Sequence, residues 1–206
     1  MRIDSLSNVL ALFPVRRDPR SQPSLSARVR AFSRVLCLGF LVLAILFTVL
    51  IATVLAAMFL YRGGMVGLGP QGGWFATSGH MPAGYTALGA LPLREKIVYA
   101  LVAVVREAPK LAILLNQAAL FRLYSRGAVF QPANTRRLRD TGAWLVADGL
   151  LPFLCHLALV ATGLEVDRRW AHLGSVQEVV LGLLLFVIAA VMTLGREIEE
   201  DGRGFV

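Results

Sequence analysis

The stretch FRLYSRGAVFQPANTRRLRDTGAW, residues 121–144, decides how this chain is organised, because it is a polar, arginine-rich junction between two apolar runs. The composition agrees with a membrane location. Hydrophobic residues make up 56% of the 206 positions and charged residues only 17%, which lies outside the usual balance of soluble domains. The sequence therefore predicts a membrane protein whose orientation is set by this junction.

The first apolar run, residues 35–60, contains no charged residue. At about 1.5 Å per residue, a helix of this length exceeds a bilayer core of about 30 Å. Helices satisfy their own backbone hydrogen bonds in lipid, and no period-two alternation indicates a sheet. Together with three further apolar segments, this run predicts four spanning helices, at residues 35–60, 97–121, 143–164 and 176–194.

The predicted fold is therefore an all-α integral membrane four-helix bundle formed by residues 35–206, preceded by a basic N-terminal arm of residues 1–34. Within the arm, apolar side chains of residues 3–13 share one helical face, which fits either a short interfacial helix or a disordered basic tail. The loop at residues 61–95 contains nine glycines, and this content argues against a packed domain there.

The distribution of Lys and Arg predicts which side each loop faces. Of the 21 basic residues, 14 lie in the arm, the junction and the C-terminal tail, five lie in the two loops on the other side, and two lie within the second helix. The positive-inside rule then places both termini and the junction in the cytoplasm. The chain is therefore expected to cross the membrane several times with both ends inside.

Charged and amide side chains inside the apolar segments are the candidates for a functional site. Asp148 is the most prominent, because an ionised carboxylate in hydrocarbon costs several kcal/mol unless it finds a partner. If residues 121 and 142 mark the inner boundary, Asp148 lies level with Asn116 and Gln117, and His156 lies level with Glu107. The sequence thus predicts a polar ladder between the second and third helices, with Lys110 reaching outward near Pro109. Such a ladder is either interhelical packing or a path for protons or ions.

The junction and the tail carry the candidate surface for a partner or for lipid. The basic side chains there attract anionic lipid head groups, and the acidic tail on the same side could form a latch with them. The arginines flank membrane segments rather than form a patch with interleaved aromatics, so direct nucleic-acid binding is not predicted. The candidate residues are Arg126, Arg136, Arg137, Arg139, Glu197, Glu199 and Glu200.

No motif indicates catalysis, a metal or a cofactor. The chain has no glycine-rich phosphate loop, no Gly-x-Ser-x-Gly and no His-Glu-x-x-His. The three histidines are scattered, and adjacent Cys155 and His156 point about 100° apart on a helix, unlike ligands at i, i+4 spacing. The protein is therefore not expected to be an enzyme, and no catalytic residue, metal site or cofactor is predicted.

A family resemblance appears in the second half of the chain. A helix ending in LFRLYSRG, residues 120–127, is followed by a Val-Phe turn with a downstream Asn, and then by RRLRDTGAWLVADGLL, residues 136–151. A final apolar helix closes on REIEED, residues 196–201, and a terminal Phe-Val. In this pattern the chain, from about residue 36, resembles the bacterial membrane family called domain of unknown function 2975. It departs from the usual tail of that family at residues 202–204.

The resemblance implies a four-helix inner-membrane protein with no established activity, often encoded beside a small helix-turn-helix regulator. The first functional hypothesis is accordingly a regulatory or interaction partner of a cytoplasmic protein, which would dock on the junction and tail. The alternative is a small transporter or channel subunit with a polar path through the second and third helices. The bilayer is the expected environment in both, and homo-oligomerisation is left open.

Overall fold

A computed structural model describes residues 22–69, 72–75, 82–127, 131–164 and 173–203, with backbone only for residues 22–26, 72, 173 and 199–203. Four long helices account for most of this chain: α1 (Gln22–Leu60), α2 (Leu93–Ser125), α3 (Pro132–Ala161) and α4 (Leu173–Arg203). The prediction of a predominantly helical protein is confirmed. The predicted helix or tail at residues 3–13 lies outside the described residues.

Three of the helices are long and apolar enough to cross a bilayer, at Ala27–Leu60, Pro132–Ala161 and Gly174–Ile198. Their apolar windows are at most 22% buried, so most of this surface faces away from the protein. Apolar patches of this extent are not kept in water by monomeric soluble proteins. The described helices therefore support a membrane protein, with lipid as the solvent of the exposed leucines, valines and isoleucines.

The predicted second span, residues 97–121, lies within α2, which is long enough at 33 residues but is not among the three apolar helices. The charged groups of Arg106, Glu107 and Lys110 lower its apolar character in the middle. Pro109 is accommodated inside the helix and is buried. That α2 crosses the membrane remains a prediction.

Each helix packs closely on the next one in the chain, α1 on α2, α2 on α3 and α3 on α4. Within the described residues no comparable backbone contact joins α1 to α4. The four helices thus pack in consecutive pairs, and a closed bundle is not confirmed.

The tightest of these contacts is a seam of small residues between α3 and α4. A Cβ atom added to Gly142 would lie 2.8 Å from the carbonyl oxygen of Gly182, and one added to Gly149 would lie 2.6 Å from that of Ser175. The seam repeats after seven residues on both helices, which keeps it on one face of each. Backbones in lipid approach this closely only where side chains are small. The seam fixes residue 142 level with residue 182.

The glycine-rich loop forms a small sheet, although its composition argued against packed structure there. Strands β1 (Val66–Gly69), β2 (Gly72–Phe75) and β3 (Thr86–Ala87) pair antiparallel in the order β2-β1-β3, and a short 3-10 helix, Leu88–Ala90, follows. Strands of two to four residues are too short to show alternation in the sequence.

Two glycines of this loop allow close packing rather than conformational freedom of the backbone. A Cβ on Gly69 would lie 2.7 Å from the ring of Tyr85, and one on Gly89 would lie 2.6 Å from the carbonyl oxygen of Arg62. The Tyr85 ring also contacts Trp74, with centroids 5.7 Å apart. Two aromatic side chains of the loop therefore pack together at the sheet.

Candidate functional site

The predicted polar residues of α2 and α3 do face one another, but with a different register. The connection between the helices is short, because α2 ends at Ser125 and α3 begins at Pro132. Residues equally far from this turn lie level, so Lys110, about fifteen residues before Ser125, lies opposite Asp148, about sixteen after Pro132. The sequence-based prediction took residues 121 and 142 as level. The observed register of α2 against α3 differs from it by about six residues, which is about 9 Å at 1.5 Å per residue.

Lys110 is the centre of the polar contacts in the middle of the helices. Its Nζ donates a hydrogen bond of 2.7 Å to Oε2 of Glu107, one turn earlier on α2. The same Nζ lies 4.0 Å from Oδ1 of Asp148 on α3. The Asp148 side chain is only 8% exposed, against 38% for Lys110. The partner of Asp148 is therefore a cation on the neighbouring helix rather than the predicted amides of Asn116 and Gln117.

The predicted amide partners lie closer to the junction. The Oδ1 of buried Asn116 accepts a hydrogen bond of 2.8 Å from Nη1 of Arg137. Gln117 is half-buried, and its side chain makes no hydrogen bond within the described residues. Arg137, predicted as a surface residue for a partner, thus ties α3 to α2 near the junction.

Glu178 on α4 belongs to the same charged region, although sequence reasoning did not single it out. It lines a cavity of about 110 Å³ together with Arg106, Lys110 and Asp148. Its signal was present in the chain, since it is a carboxylate two residues inside the last apolar segment. It was missed because its position near Asp148 follows only from the register that places Ser175 level with Gly149. We call Arg106, Glu107, Lys110, Asp148 and Glu178 the charged cluster.

A second cavity of about 220 Å³ opens from the charged cluster toward the small sheet. Arg106 and Glu107 form part of its wall, His156 and Cys155 of α3 lie across from them, and Tyr99 adds a phenol. The roof is made by Leu68 and Gly69 of β1. Glu107 and His156, which were predicted to be level, line this one cavity.

The junction residues divide between surface and interior. Arg126, Arg136, Arg137 and Arg139 are exposed, and so is Glu197 on α4. The side chains of Glu199 and Glu200 lie outside the described residues. Asn134, in the first turn of α3, is fully buried.

The backbone of α4 shows where the acidic tail lies relative to the junction, with which it was predicted to form a latch. Because residue 142 is level with residue 182, Arg136 lies level with about residue 188, and α4 continues as one helix to Arg203. Residues 199 and 200 are then about 16 Å further along the axis, at 1.5 Å per residue. The acidic end of α4 projects past the junction instead of folding back on it.

The charged cluster places carboxylates beside a basic side chain, an arrangement that can bind ions or exchange protons. Within the described part of the chain no group of three or more His, Cys, Asp or Glu residues is placed to hold a metal ion. The two free cysteines, Cys37 and Cys155, lie buried on different helices. Neither a family model, nor a curated protein, nor a solved structure matches this chain.

Proposed function

We propose that the protein is a small membrane transporter or channel subunit for protons or monovalent cations, with the charged cluster as its binding site. The observation that carries the proposal is the position of five ionisable groups between three helices, beside a cavity that leads to the small sheet. Ionisable side chains at membrane depth are costly, and they usually mark ion or proton pathways.

The charge balance of the cluster favours a cationic ligand. Arg106 and Lys110 supply two positive charges, whereas Glu107, Asp148 and Glu178 supply three negative ones. When all five are ionised, one negative charge is left uncompensated in a medium of low dielectric constant. A proton or a monovalent cation would neutralise it, and a divalent cation would overcompensate.

The path from the cluster toward the junction is closed by apolar side chains. Lys110 and Asn116 are about 9 Å apart along α2, and the side chains between them are aliphatic. On α3 the buried Thr141 hydroxyl in this interval donates to its own helix, at the carbonyl oxygen of Arg137. Transfer to the inner side would therefore require the α2–α3 interface to open, as alternating access demands.

Flux in proteoliposomes tests the proposal. The full chain is reconstituted, a potassium diffusion potential is set with valinomycin, and proton and sodium uptake are followed with ion-sensitive dyes. We expect uptake above protein-free vesicles, and at least a tenfold loss in Asp148→Asn. Asp140→Asn, on the same helix but outside the cluster, should stay within twofold. Wild-type uptake equal to that of empty vesicles for both protons and sodium would refute the proposal.

A second candidate function is a regulatory partner of a cytoplasmic protein, and the exposed guanidinium groups of Arg136 and Arg139 favour it. It also agrees with the resemblance to domain of unknown function 2975, which stays a proposal based on the motifs of residues 120–151 and 196–201. Cross-linking in cells should then capture a defined cytoplasmic protein that is lost in Arg136→Gln/Arg139→Gln. Arg137 is left intact in this test, because its bond to Asn116 is structural. Capture that is unaffected by the double substitution would contradict docking at this surface.

A further inference from the structure

A groove between the beginning of α3 and the end of α4 has the chemistry of an anionic lipid site. Its volume is about 330 Å³. Three guanidinium side chains line it, those of Arg136, Arg139 and Arg196. Phe186, Ala189 and Ala190 of α4 form an apolar part of the wall, beside Pro132, Thr135 and Thr193. One cavity thus joins a triply cationic part to a hydrocarbon part.

The groove lies at the depth where a lipid phosphate is found. Arg196 is near the end of the apolar segment Gly174–Ile198, two residues after Leu194, which is 57% exposed. On α3, Arg136 and Arg139 lie shortly before the apolar run that begins at Ala143. The cationic part is therefore at the membrane boundary, and the apolar part faces the hydrocarbon.

Two further features fit a phosphate ester. Pro132 lines the groove as the first residue of α3, so the positive end of a 30-residue helix dipole adds about half a charge there. Thr135 supplies a hydroxyl on the same wall, whereas the Thr193 hydroxyl already donates to the carbonyl oxygen of Ala189. Guanidinium groups bind phosphate through two parallel hydrogen bonds, and basic pockets between membrane helices bind anionic head groups.

The acidic end of α4 lies past the part of the groove that Arg136 and Arg139 line. Helix α4 continues without a break to Arg203, so the backbone of residues 199–201 is carried away from the level of these two arginines. This part of the groove is left to an occupant from outside the helix pair. Charge complementarity and the apolar wall together select an amphiphile that carries a negative head group.

We propose that this groove binds the head group and upper acyl chain of one anionic phospholipid. The three arginines hold the phosphate, and the wall of Phe186, Ala189 and Ala190 contacts the glycerol backbone and chain. The proposal is independent of ion transport by the charged cluster, which lies on the far side of the apolar interval.

Native mass spectrometry of the full chain in neutral detergent tests the site. Short-chain phosphatidylglycerol, phosphatidylcholine and glycerol phosphate are added separately, and the fraction of protein that retains one bound molecule is measured. We expect retention of phosphatidylglycerol, at least fivefold less phosphatidylcholine, and no retained glycerol phosphate. Arg136→Gln/Arg139→Gln should lower phosphatidylglycerol retention at least fivefold.

A matched control removes the same charge from the same surface. Arg122→Gln/Arg126→Gln changes two exposed arginines that do not line the groove and should keep at least half of the retention. Ala190→Phe leaves every charge but fills the apolar wall, and it should also lower retention, with a monodisperse elution profile showing that the fold is kept.

Several outcomes would overturn the proposal. If both double variants lose phosphatidylglycerol retention equally, the lipid binds to nonspecific surface charge. If phosphatidylcholine is retained as well as phosphatidylglycerol, binding does not depend on the head-group charge. Retention of glycerol phosphate as strong as that of the lipid would mark a plain phosphate site. Increased lipid retention in Glu199→Gln/Glu200→Gln would mean that the tail, rather than lipid, fills the groove.

Discussion

Lys110 and Asp148 face each other across the interface of α2 and α3, with Nζ and Oδ1 4.0 Å apart. Because Nζ also bonds Glu107 at 2.7 Å, one ammonium group serves two carboxylates on two helices. This sharing makes Lys110 the residue on which the electrostatics of the cluster depend. The two carboxylates would repel each other without it.

Replacing Lys110 should therefore cost more than replacing either acid. We expect Lys110→Met to lower the free energy of unfolding by about 2 kcal/mol, below the 3 to 5 kcal/mol of a fully buried pair because Lys110 is partly exposed. Asp148→Asn should cost less, about 1 kcal/mol, and the double variant less than the sum. Reversible unfolding in mixed micelles measures this, with Lys96→Met in the first turn of α2 as control. Additive effects would show that the two groups do not interact.

The hydrogen bond between Arg137 and Asn116 gives a second stability prediction. Arg137→Gln should lose about 1.5 kcal/mol, because Asn116 is buried and its carbonyl oxygen loses a charged donor. Arg136→Gln removes the adjacent, exposed guanidinium and should stay within about 0.5 kcal/mol of wild type. Unfolding of the two variants under the same conditions compares them directly. Similar losses in both would assign the effect to net charge.

The seam of α3 and α4 should not tolerate a methyl group. In Gly142→Ala the new Cβ meets the backbone of Gly182, which cannot rotate away, so the helices must separate at a cost of about 2 kcal/mol. Gly195→Ala has open space around its Cβ and should be neutral or stabilising by up to about 1 kcal/mol through helix propensity. Thermal unfolding of both variants in detergent decides the point. A neutral Gly142→Ala would mean that the seam is looser than described.

Cysteine labelling tests the predicted topology and the spanning of α2 together. In a variant with Cys37 and Cys155 replaced by Ala, single cysteines are placed at Gly73 in the sheet and at Gln131 in the junction, both exposed. An impermeant maleimide should label Gly73→Cys in intact cells and Gln131→Cys only after permeabilisation, as the positive-inside rule predicts. Labelling of both from one side would place α2 on the membrane surface.

Composition and periodicity were sufficient for the helices, because a run such as residues 35–60 has few other stable states in lipid. The pairing of Asp148 was wrong in detail, since the register of α2 and α3 depends on where a short turn begins and ends. If the boundary of each helix is misplaced by about three residues, the register changes by about six. Asn116 rather than Lys110 is then placed opposite Asp148. Local sequence could not supply that boundary to the required accuracy.

Contacts between residues that are distant in the sequence could not be predicted from local sequence either. Gly142 and Gly182 are forty residues apart, and each by itself is an ordinary helix glycine. The strands of the loop at residues 61–95 have two to four residues, and Gly69 and Gly89 lie close to Tyr85 and Arg62. The role of such a glycine can be recognised only when the residue that packs against it is known.

The roof of the larger cavity is held by a different kind of structure from its walls. Leu68 and Gly69 belong to a strand that pairs over four residues with β2 and over two with β3, whereas the walls are helices of about thirty residues. Short ladders open by local unfolding at far lower free energy than packed helices. Backbone amides of residues 66–69 should therefore exchange with deuterium well before those around Glu107. The cavity can exchange its contents with the outside without any helix changing its neighbours.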